Sequence, residues 1–180
     1  MKATRIISDR DVIPARAAGY EIEGGTLKNQ NFVSPTLNST ADGALYFNVV
    51  DLEKWDRALY GTTLLTRASL ERMWTPFVLN GGRANSAGYG FGWIVSEQNG
   101  HRVIGHTGAW QGFACSIDRY VNDGVTVVVL TNPDGDHSEP ENIGKVVAGL
   151  VDPKLMLKST EALRTLFRTP HRGGSTEHLG

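Results

Sequence analysis

Four apolar segments separated by short turns constrain the fold of this chain more than any other feature. They lie between residues 88 and 132 and read GYGFGWIV, HRVIGHTGAW, GFACSIDRYV and GVTVVVLTN. Aromatic residues alternate with small ones in the first segment, Asn99-Gly100 follows it as a hairpin signal, and VNDG precedes the last segment. The pattern predicts an antiparallel meander, with the continuous run TVVVL as a central strand covered on both faces.

Helical spacing precedes the meander. Asn48 and Asp51 are spaced like a capping box at the start of NVVDLEKWDRAL. The apolar residues of this helix fall on one face, opposite Asp and Lys, and are Leu52, Trp55 and Leu59. A second short helix, TRASLERMW, follows and is ended by a proline. We therefore expect two helices before the sheet.

A third helix is predicted after the meander, over residues 141–151. Its apolar residues are expected to face inward, and they are Ile143, Val146, Val147 and Leu150. A weaker helix is predicted at 159–168, followed by a polar, glycine-rich and disordered tail. With a loop-rich start and a hairpin in AAGYEIEGGTLKN, this order predicts an α+β fold in which helices pack on an antiparallel sheet.

Composition excludes several classes of function. The chain has 180 residues, enough for one domain, and a net charge of −1, which favours neither nucleic acid nor an anionic membrane. Its single cysteine, Cys115, forms no internal disulfide framework. No apolar run reaches the ~18–20 residues of a bilayer span, and the start lacks the ~7–15-residue apolar core of a secretory signal. The sequence indicates no compartment and implies no cofactor.

The triplet His106-Thr107-Gly108 is the candidate for chemistry. Read alone, a histidine in an apolar strand is most often a hydrogen-bonded packing residue. Glycines at 105 and 108, however, let a ligand or another backbone approach closely. An accessible strand edge of this kind can pair with a substrate and present a backbone N–H to an oxyanion.

The segment resembles the Lys-Thr-Gly strand of the serine β-lactamase and penicillin-binding protein superfamily, in the His-Thr-Gly form of the related esterases and peptidases. The surrounding segments follow in the order and at the separations of that family, and they are ADGALYFNVVDLEKWDRALYG, LLTRASLERMWTP, GYGFGW, GHTGAWQGF and VVVLTN. The resemblance covers about residues 1–151. It implies the C-terminal part of a β-lactamase/transpeptidase-like fold.

The resemblance also implies roles for individual residues. His106 takes the place of the motif lysine, Thr107 its hydroxyl neighbour and Gly108 the close-approach glycine. The backbone N–H of Ala109 would be an oxyanion donor. The expected substrate-binding residues in the cleft are Trp110 and Phe113. Histidine is a weaker, pH-dependent cation than lysine, so we expect ester, amide or lactone substrates to be favoured over strongly anionic β-lactams.

The nucleophile of the family is missing from the sequence. That chemistry needs Ser-x-x-Lys, and none of the serines of this chain has a lysine three residues later. The second family element, Tyr-x-Asn, has one formal match at Tyr46-Phe47-Asn48, where we interpret Tyr46 as a packing residue and Asn48 as a helix cap. The resemblance implies that the chain begins at an internal methionine of the family and is inactive alone.

Under this interpretation, residues 1–153 form the C-terminal portion of a serine hydrolase domain, and 154–180 hold the weak helix and tail. The sheet would have an unpaired edge, which favours self-association or completion by the missing N-terminal half. Three alternatives stay open. One is a non-catalytic binding or complementation module, and another pairs His106 with a local serine. The third is a metal site, disfavoured, whose donors would be His101, His106, Asp134, Asp136 and His137.

Overall fold

A computed structural model of the chain describes residues 1–6, 11–30, 45–110, 112–133 and 138–158. The weak helix at 159–168 and the tail lie outside these residues. The strands are β1 (Arg5–Ile6), β2 (Tyr20–Glu23), β3 (Thr26–Asn29), β4 (Leu45–Tyr46), β5 (Ile94–Gln98), β6 (His101–Trp110), β7 (Phe113–Tyr120) and β8 (Val125–Thr131). The helices are α1 (Val49–Tyr60), α2 (Arg67–Met73) and α3 (Pro140–Val151), with a 3₁₀ turn at Pro153–Leu155.

The predicted meander is present as a four-stranded sheet in the order β5-β6-β7-β8, with every neighbouring pair antiparallel. The β5–β6 hairpin closes at Asn99-Gly100, where φ is 54° and 87° at the two residues. That left-handed pair is the two-residue turn whose twist matches the flanking strands. The smaller predicted hairpin is also present, since β2 and β3 pair around the turn at Gly24-Gly25. The predicted α+β class is confirmed.

The first segment of the predicted meander is wrong over most of its length. Strand β5 begins only at Ile94, and the preceding GYGFGW folds as a loop attached by a single bridge between Tyr89 and Ile94. Gly88 and Gly92 take φ values of 63° and 74°, which break the extended backbone. A Cβ at Gly90 would lie 2.3 Å from the carbonyl oxygen of Met73, so this loop packs directly against the end of α2.

Two hydrophobic clusters cover the two faces of the sheet. The face toward α1 and α2, here the α1–α2 face, packs around buried residues that are Leu59, Leu70, Trp74, Trp93 and Ile104. The opposite face, here the α3 face, packs around Val103, Tyr120, Val127, Ala148 and Leu155. Neighbouring β6 residues therefore belong to different clusters, as strand alternation requires. The sheet is sandwiched between helices along most of its described length.

Helix α1 begins as predicted, because the Asn48 side chain accepts the N–H of Asp51 at 2.9 Å. Asp51 itself, expected on the polar side, is buried. Its carboxylate accepts the N–H groups of Ala3 and Thr4 at 2.7 and 2.9 Å. Burial alone would raise the pKa of Asp51, but hydrogen bonds from Lys54 and these two N–H groups hold it well below its usual range. The carboxylate thus ties the start of the chain to α1.

The predicted inward face of α3 is wrong. Ile143, Val147 and Leu150 are 45, 37 and 72% exposed, and the buried residues of the helix are Pro140, Gly144, Ala148 and Gly149. Small residues face the sheet because there is no space for larger ones. A Cβ at Gly149, for example, would lie 2.8 Å from the Cα of Met156. Apolar periodicity alone does not reveal a helix that docks through glycine.

The prediction that TVVVL is a central strand is also wrong for the described residues. Strand β8 carries Val127 in the α3-face cluster, and its Thr126 hydroxyl donates to Asp56 of α1 at 3.0 Å, so both faces are covered. Its outer edge, however, pairs with no strand of the described chain, and only a bridge between Tyr20 and Pro133 follows at its end. None of the helices described here has the length and apolarity needed to cross a membrane.

Candidate functional site

The His-Thr-Gly triplet lies in the second half of β6, where β7 is the one neighbouring strand among the described residues. Strand β7 pairs with β6 along its length as far as Trp110. The register between β5 and β6 stops at Ile94 opposite Gly105. Residues 106–110 therefore form an open strand edge in the described structure, as the sequence predicted for this segment.

Backbone direction along this edge follows from Gly108. The Ala114 carbonyl accepts the Thr131 hydroxyl of β8, so Ala114 directs its backbone groups to β8 and Cys115 directs its own to β6. Gly108 faces Cys115 and therefore directs its N–H toward β7, where a hydrogen bond from it acts on the Cys115 thiol. Burial raises the pKa of that thiol, and the hydrogen bond opposes the rise. Successive strand residues direct their N–H and C=O groups to opposite edges. Thr107 and Ala109 therefore direct theirs to the open edge, where an N–H can donate to an incoming oxygen.

The imidazole of His106 is held by two contacts within the chain. Its Nε2 lies 2.9 Å from the hydroxyl oxygen of Tyr89, and the two rings meet edge to face with centroids 5.7 Å apart. Its Nδ1 lies 2.5 Å from the carbonyl oxygen of Thr107. Both ring nitrogens therefore have partners, one from the GYGFGW loop and one from the open edge of β6.

His106 and Thr107 extend from opposite faces of the sheet. His106 pairs with Ile117 on the α1–α2 face. Thr107 pairs with Ser116 on the α3 face, where it lines a cavity of 480 Å³ beside Asp118. Helix α3 contributes polar side chains to this cavity, and they are Glu141, Asn142 and Lys145.

Asp118 occupies a narrow slot between two glycines in the cavity wall. A Cβ at Gly105 would lie 2.5 Å from its Oδ1, and a Cβ at Gly144 of α3 would lie 3.3 Å from its Oδ2. Burial raises the pKa of Asp118 to about 6, and nearby Lys145 opposes that rise. Among the described residues, neither Asp118 Oδ2 nor the buried Ser116 hydroxyl has a hydrogen-bond partner. The carboxyl is therefore held in a place that disfavours its charge.

The two residues expected to bind substrate, Trp110 and Phe113, pair across the end of the β6–β7 hairpin. Trp110 shares the face of His106 by strand alternation. Phe113 packs closely on the backbone of Gly19, where an added Cβ would lie 2.8 Å from its ring. That contact is typical of packing. The proposed binding role of both residues stays a prediction.

The rival sites separate in the structure. His101 lies at the far end of β6, where its Nδ1 is 2.9 Å from Asp123. No group of three or more potential metal ligands occurs among the described residues, and the other three proposed donors, Asp134, Asp136 and His137, lie outside them.

Ser116, the serine paired with Thr107, faces away from His106. Tyr46 contacts Arg16 through its hydroxyl at 3.1 Å, in keeping with a packing role.

Sequence reasoning missed Tyr89 and Asp118. The alternating pattern predicts Tyr89 as one residue of a strand, but the backbone turns at Gly88 and brings its hydroxyl to His106. Two glycines in GYGFG were a signal for such a loop. Asp118 lies in an apolar strand, and an acidic residue in such a strand indicates a carboxyl with specific partners or a specific role.

The chain is similar in sequence to several known proteins. The family model described as Beta-lactamase matches residues 1–150. Penicillin-binding protein 4* of Bacillus subtilis (strain 168) is 32% identical over 112 residues, covering 61% of this chain and 24% of that protein. The D-aminopeptidase of Brucella anthropi is 26% identical over 139 residues, covering 77% and 26%. The chain thus spans about a quarter of the length of these curated relatives.

A solved structure shares the fold. The octameric penicillin-binding protein homologue from Pyrococcus abyssi superposes with a TM-score of 0.68 at 24% identity, covering 84% of this chain and 34% of that one. The penicillin-binding protein from Bacillus halodurans gives the same TM-score at 22% identity, covering 82% and 44%. With a family match over residues 1–150 and the order of segments that the sequence shares with it, the chain belongs to the beta-lactamase family.

Proposed function

We propose that this chain supplies the oxyanion strand of a serine hydrolase site that transfers acyl groups from ester, amide or lactam substrates to water. The open edge of β6 carries the proposal, because there the Ala109 N–H points away from β7. Thr107 lies beside it with an exposed hydroxyl side chain, and Gly108 leaves room for a backbone to approach. Residues 1–153 would be the C-terminal portion of the hydrolase domain.

Turnover at this edge needs a nucleophile from another segment. No serine of the sequence is followed by lysine at the third position, and the serine paired with Thr107 faces the α3 side of the sheet. We therefore propose that a segment carrying Ser-x-x-Lys completes the site on the α1–α2 face, to which the His106 side chain extends. A serine and lysine one helical turn apart would supply the nucleophile and its base.

Complementation tests the proposal. The purified chain is mixed with a second chain that carries the family's Ser-x-x-Lys helix, and hydrolysis of p-nitrophenyl acetate and nitrocefin is followed. We expect turnover in the mixture and none in either chain alone. Ala109→Pro removes the proposed oxyanion N–H and should lower kcat by about 10²–10³-fold, the usual effect of losing one such donor. A mixture in which Ala109→Pro is as active as the unaltered chain would contradict the proposal.

The alternative function is a non-catalytic binding module, which the missing Ser-x-x-Lys favours. The same open edge would then pair with an extended segment of a partner without chemistry. The complementation mixture separates the two functions. Stable assembly without turnover, seen by co-elution of the two chains, supports the binding module.

A further inference from the structure

The GYGFGW loop holds Tyr89 in a defined place against β6. The Tyr89 carbonyl accepts two hydrogen bonds, from the N–H of Phe77 at 3.1 Å and from the side chain of Asn85 at 3.0 Å. The flanking residue Gly88 accepts the N–H of Val95 at 2.9 Å. These contacts fix the backbone on both sides of the tyrosine, so the position of its ring does not depend on the His106 contact alone.

The contacts of His106 determine which nitrogen carries its proton. A backbone carbonyl can only accept a hydrogen bond, so the 2.5 Å contact with the Thr107 carbonyl requires a proton on Nδ1. In the neutral ring, Nε2 is then an acceptor, and the Tyr89 hydroxyl 2.9 Å away is its donor. If Nε2 takes up a proton, the hydroxyl reverses and accepts, and the ring keeps its orientation.

From this geometry we propose that Tyr89 is a positioning residue of the His-Thr-Gly strand. It holds the His106 imidazole in place from the Nε2 side, where the phenol hydroxyl contacts that nitrogen, while the Thr107 carbonyl sets the Nδ1–H tautomer. Both contacts come from residues of this chain, and neither depends on the nucleophile segment of the proposed function. The arrangement is a property of this chain itself.

Two consequences concern the substrate, and both rest on the proposed function. The His106 ring hydrogen-bonds the Thr107 carbonyl, so that carbonyl is not available to a substrate. In the His-Thr-Gly-Ala segment, Ala109 is then the residue whose N–H and C=O both face the open edge without a partner from the described residues. Since both ring nitrogens are hydrogen-bonded within the chain, His106 has no N–H left to donate to an anionic group of a substrate. The edge therefore selects acyl groups that need an N–H donor rather than a counter-charge, as in neutral esters and amides.

Nitrogen NMR of the isolated chain tests the positioning role without any turnover. Long-range ¹H–¹⁵N correlation at alkaline pH should show His106 with a pyrrole-type Nδ1 and a pyridine-type Nε2, the latter displaced from its free-imidazole position by the tyrosine. Tyr89→Phe should move the Nε2 signal toward the free-imidazole position and leave Nδ1 in place. His101, whose Nδ1 contacts Asp123, is the internal reference and should not change.

Two controls keep the test decisive. Tyr60→Phe removes a hydroxyl from a tyrosine that packs on Arg119 and should leave His106 unchanged. If Tyr89→Phe fails to fold, 3-fluorotyrosine labelling of the unaltered chain makes the phenol a stronger donor and should displace Nε2 further.

A His106 signal with the proton on Nε2, or an Nε2 signal insensitive to both changes at Tyr89, would overturn the proposal. Failure of the complementation assay would instead count against the proposed function and leave these signals as they are.

Discussion

The buried carboxyl of Asp118 lies on β7 next to β6 and sets part of the pH dependence of the stability of the chain. Because Asp118 has a pKa of about 6 when folded and an ordinary value of 3.8, the unfolded chain gives up this proton more readily. Its contribution to stability is therefore complete below about pH 4 and is lost as pH rises through 6. The charged groups that face it, Lys145 and Glu141, lie on α3 and act in opposite directions on its pKa.

We expect the free energy of unfolding to fall by about 2 kcal/mol between pH 4.5 and pH 7.5 through this group, because most of its titration in the folded chain falls within that range. Asp118→Asn should remove that part of the pH dependence and stabilise the chain at pH 7.5. Urea unfolding at the two pH values measures it, with exposed Glu53→Gln as the control. A variant with the same pH dependence as the unaltered chain would show that Asp118 is not the responsible group.

Loss of the backbone N–H should destabilise the chain by different amounts at two neighbouring residues of β6. Ala109→Pro removes a group directed to the open edge, so we expect a cost below about 1 kcal/mol. Gly108→Pro removes a group directed to β7 and adds a carbon where a Cβ would lie 2.9 Å from the Cys115 sulfur. That change should cost at least about 1–3 kcal/mol. Thermal unfolding of both variants compares them, and equal costs would mean that the backbone directions are misassigned.

At the scale of elements, turns and caps were predictable from sequence because their chemistry is local. The Asn48 cap and the Asn99-Gly100 turn depend on a few adjacent residues, and both are present. The inward face of α3 and the path of GYGFGW were not predictable, because each depends on a surface distant in sequence. Gly144 meets Asp118, and Gly90 meets Met73. The open edge was predicted, but the tyrosine that contacts its histidine was not.

The face of α3 can be checked by two substitutions with opposite expectations. Leu150 is 72% exposed, so Leu150→Ala should change stability by no more than about 0.5 kcal/mol. Ala148 is fully buried against the sheet, so Ala148→Leu should cost about 1–3 kcal/mol through overpacking. Urea unfolding measures both. A large loss of stability from Leu150→Ala would show that Leu150 faces the sheet, as the apolar periodicity predicts.

For the whole molecule, we expect the outer edge of β8 to favour association between copies of the chain. It pairs with no strand of the described residues, and Leu130 on it is 39% exposed. We expect the isolated chain to sediment with a mass that rises with concentration, and Leu130→Lys to reduce that rise because a charge blocks edge pairing. Leu150→Lys adds the same charge on α3 and is the control. A single monomeric species at all concentrations would contradict this expectation.

We propose an oxyanion strand in this chain and a nucleophile supplied by another segment. The most direct test is hydrolysis of p-nitrophenyl acetate and nitrocefin by the purified chain alone, combined with a fluorophosphonate probe for reactive serines and a His106→Ala variant. We expect no turnover above the uncatalysed rate and no labelled serine. Turnover that falls in His106→Ala, together with one labelled serine, would contradict this proposal and show that the chain contains its own nucleophile.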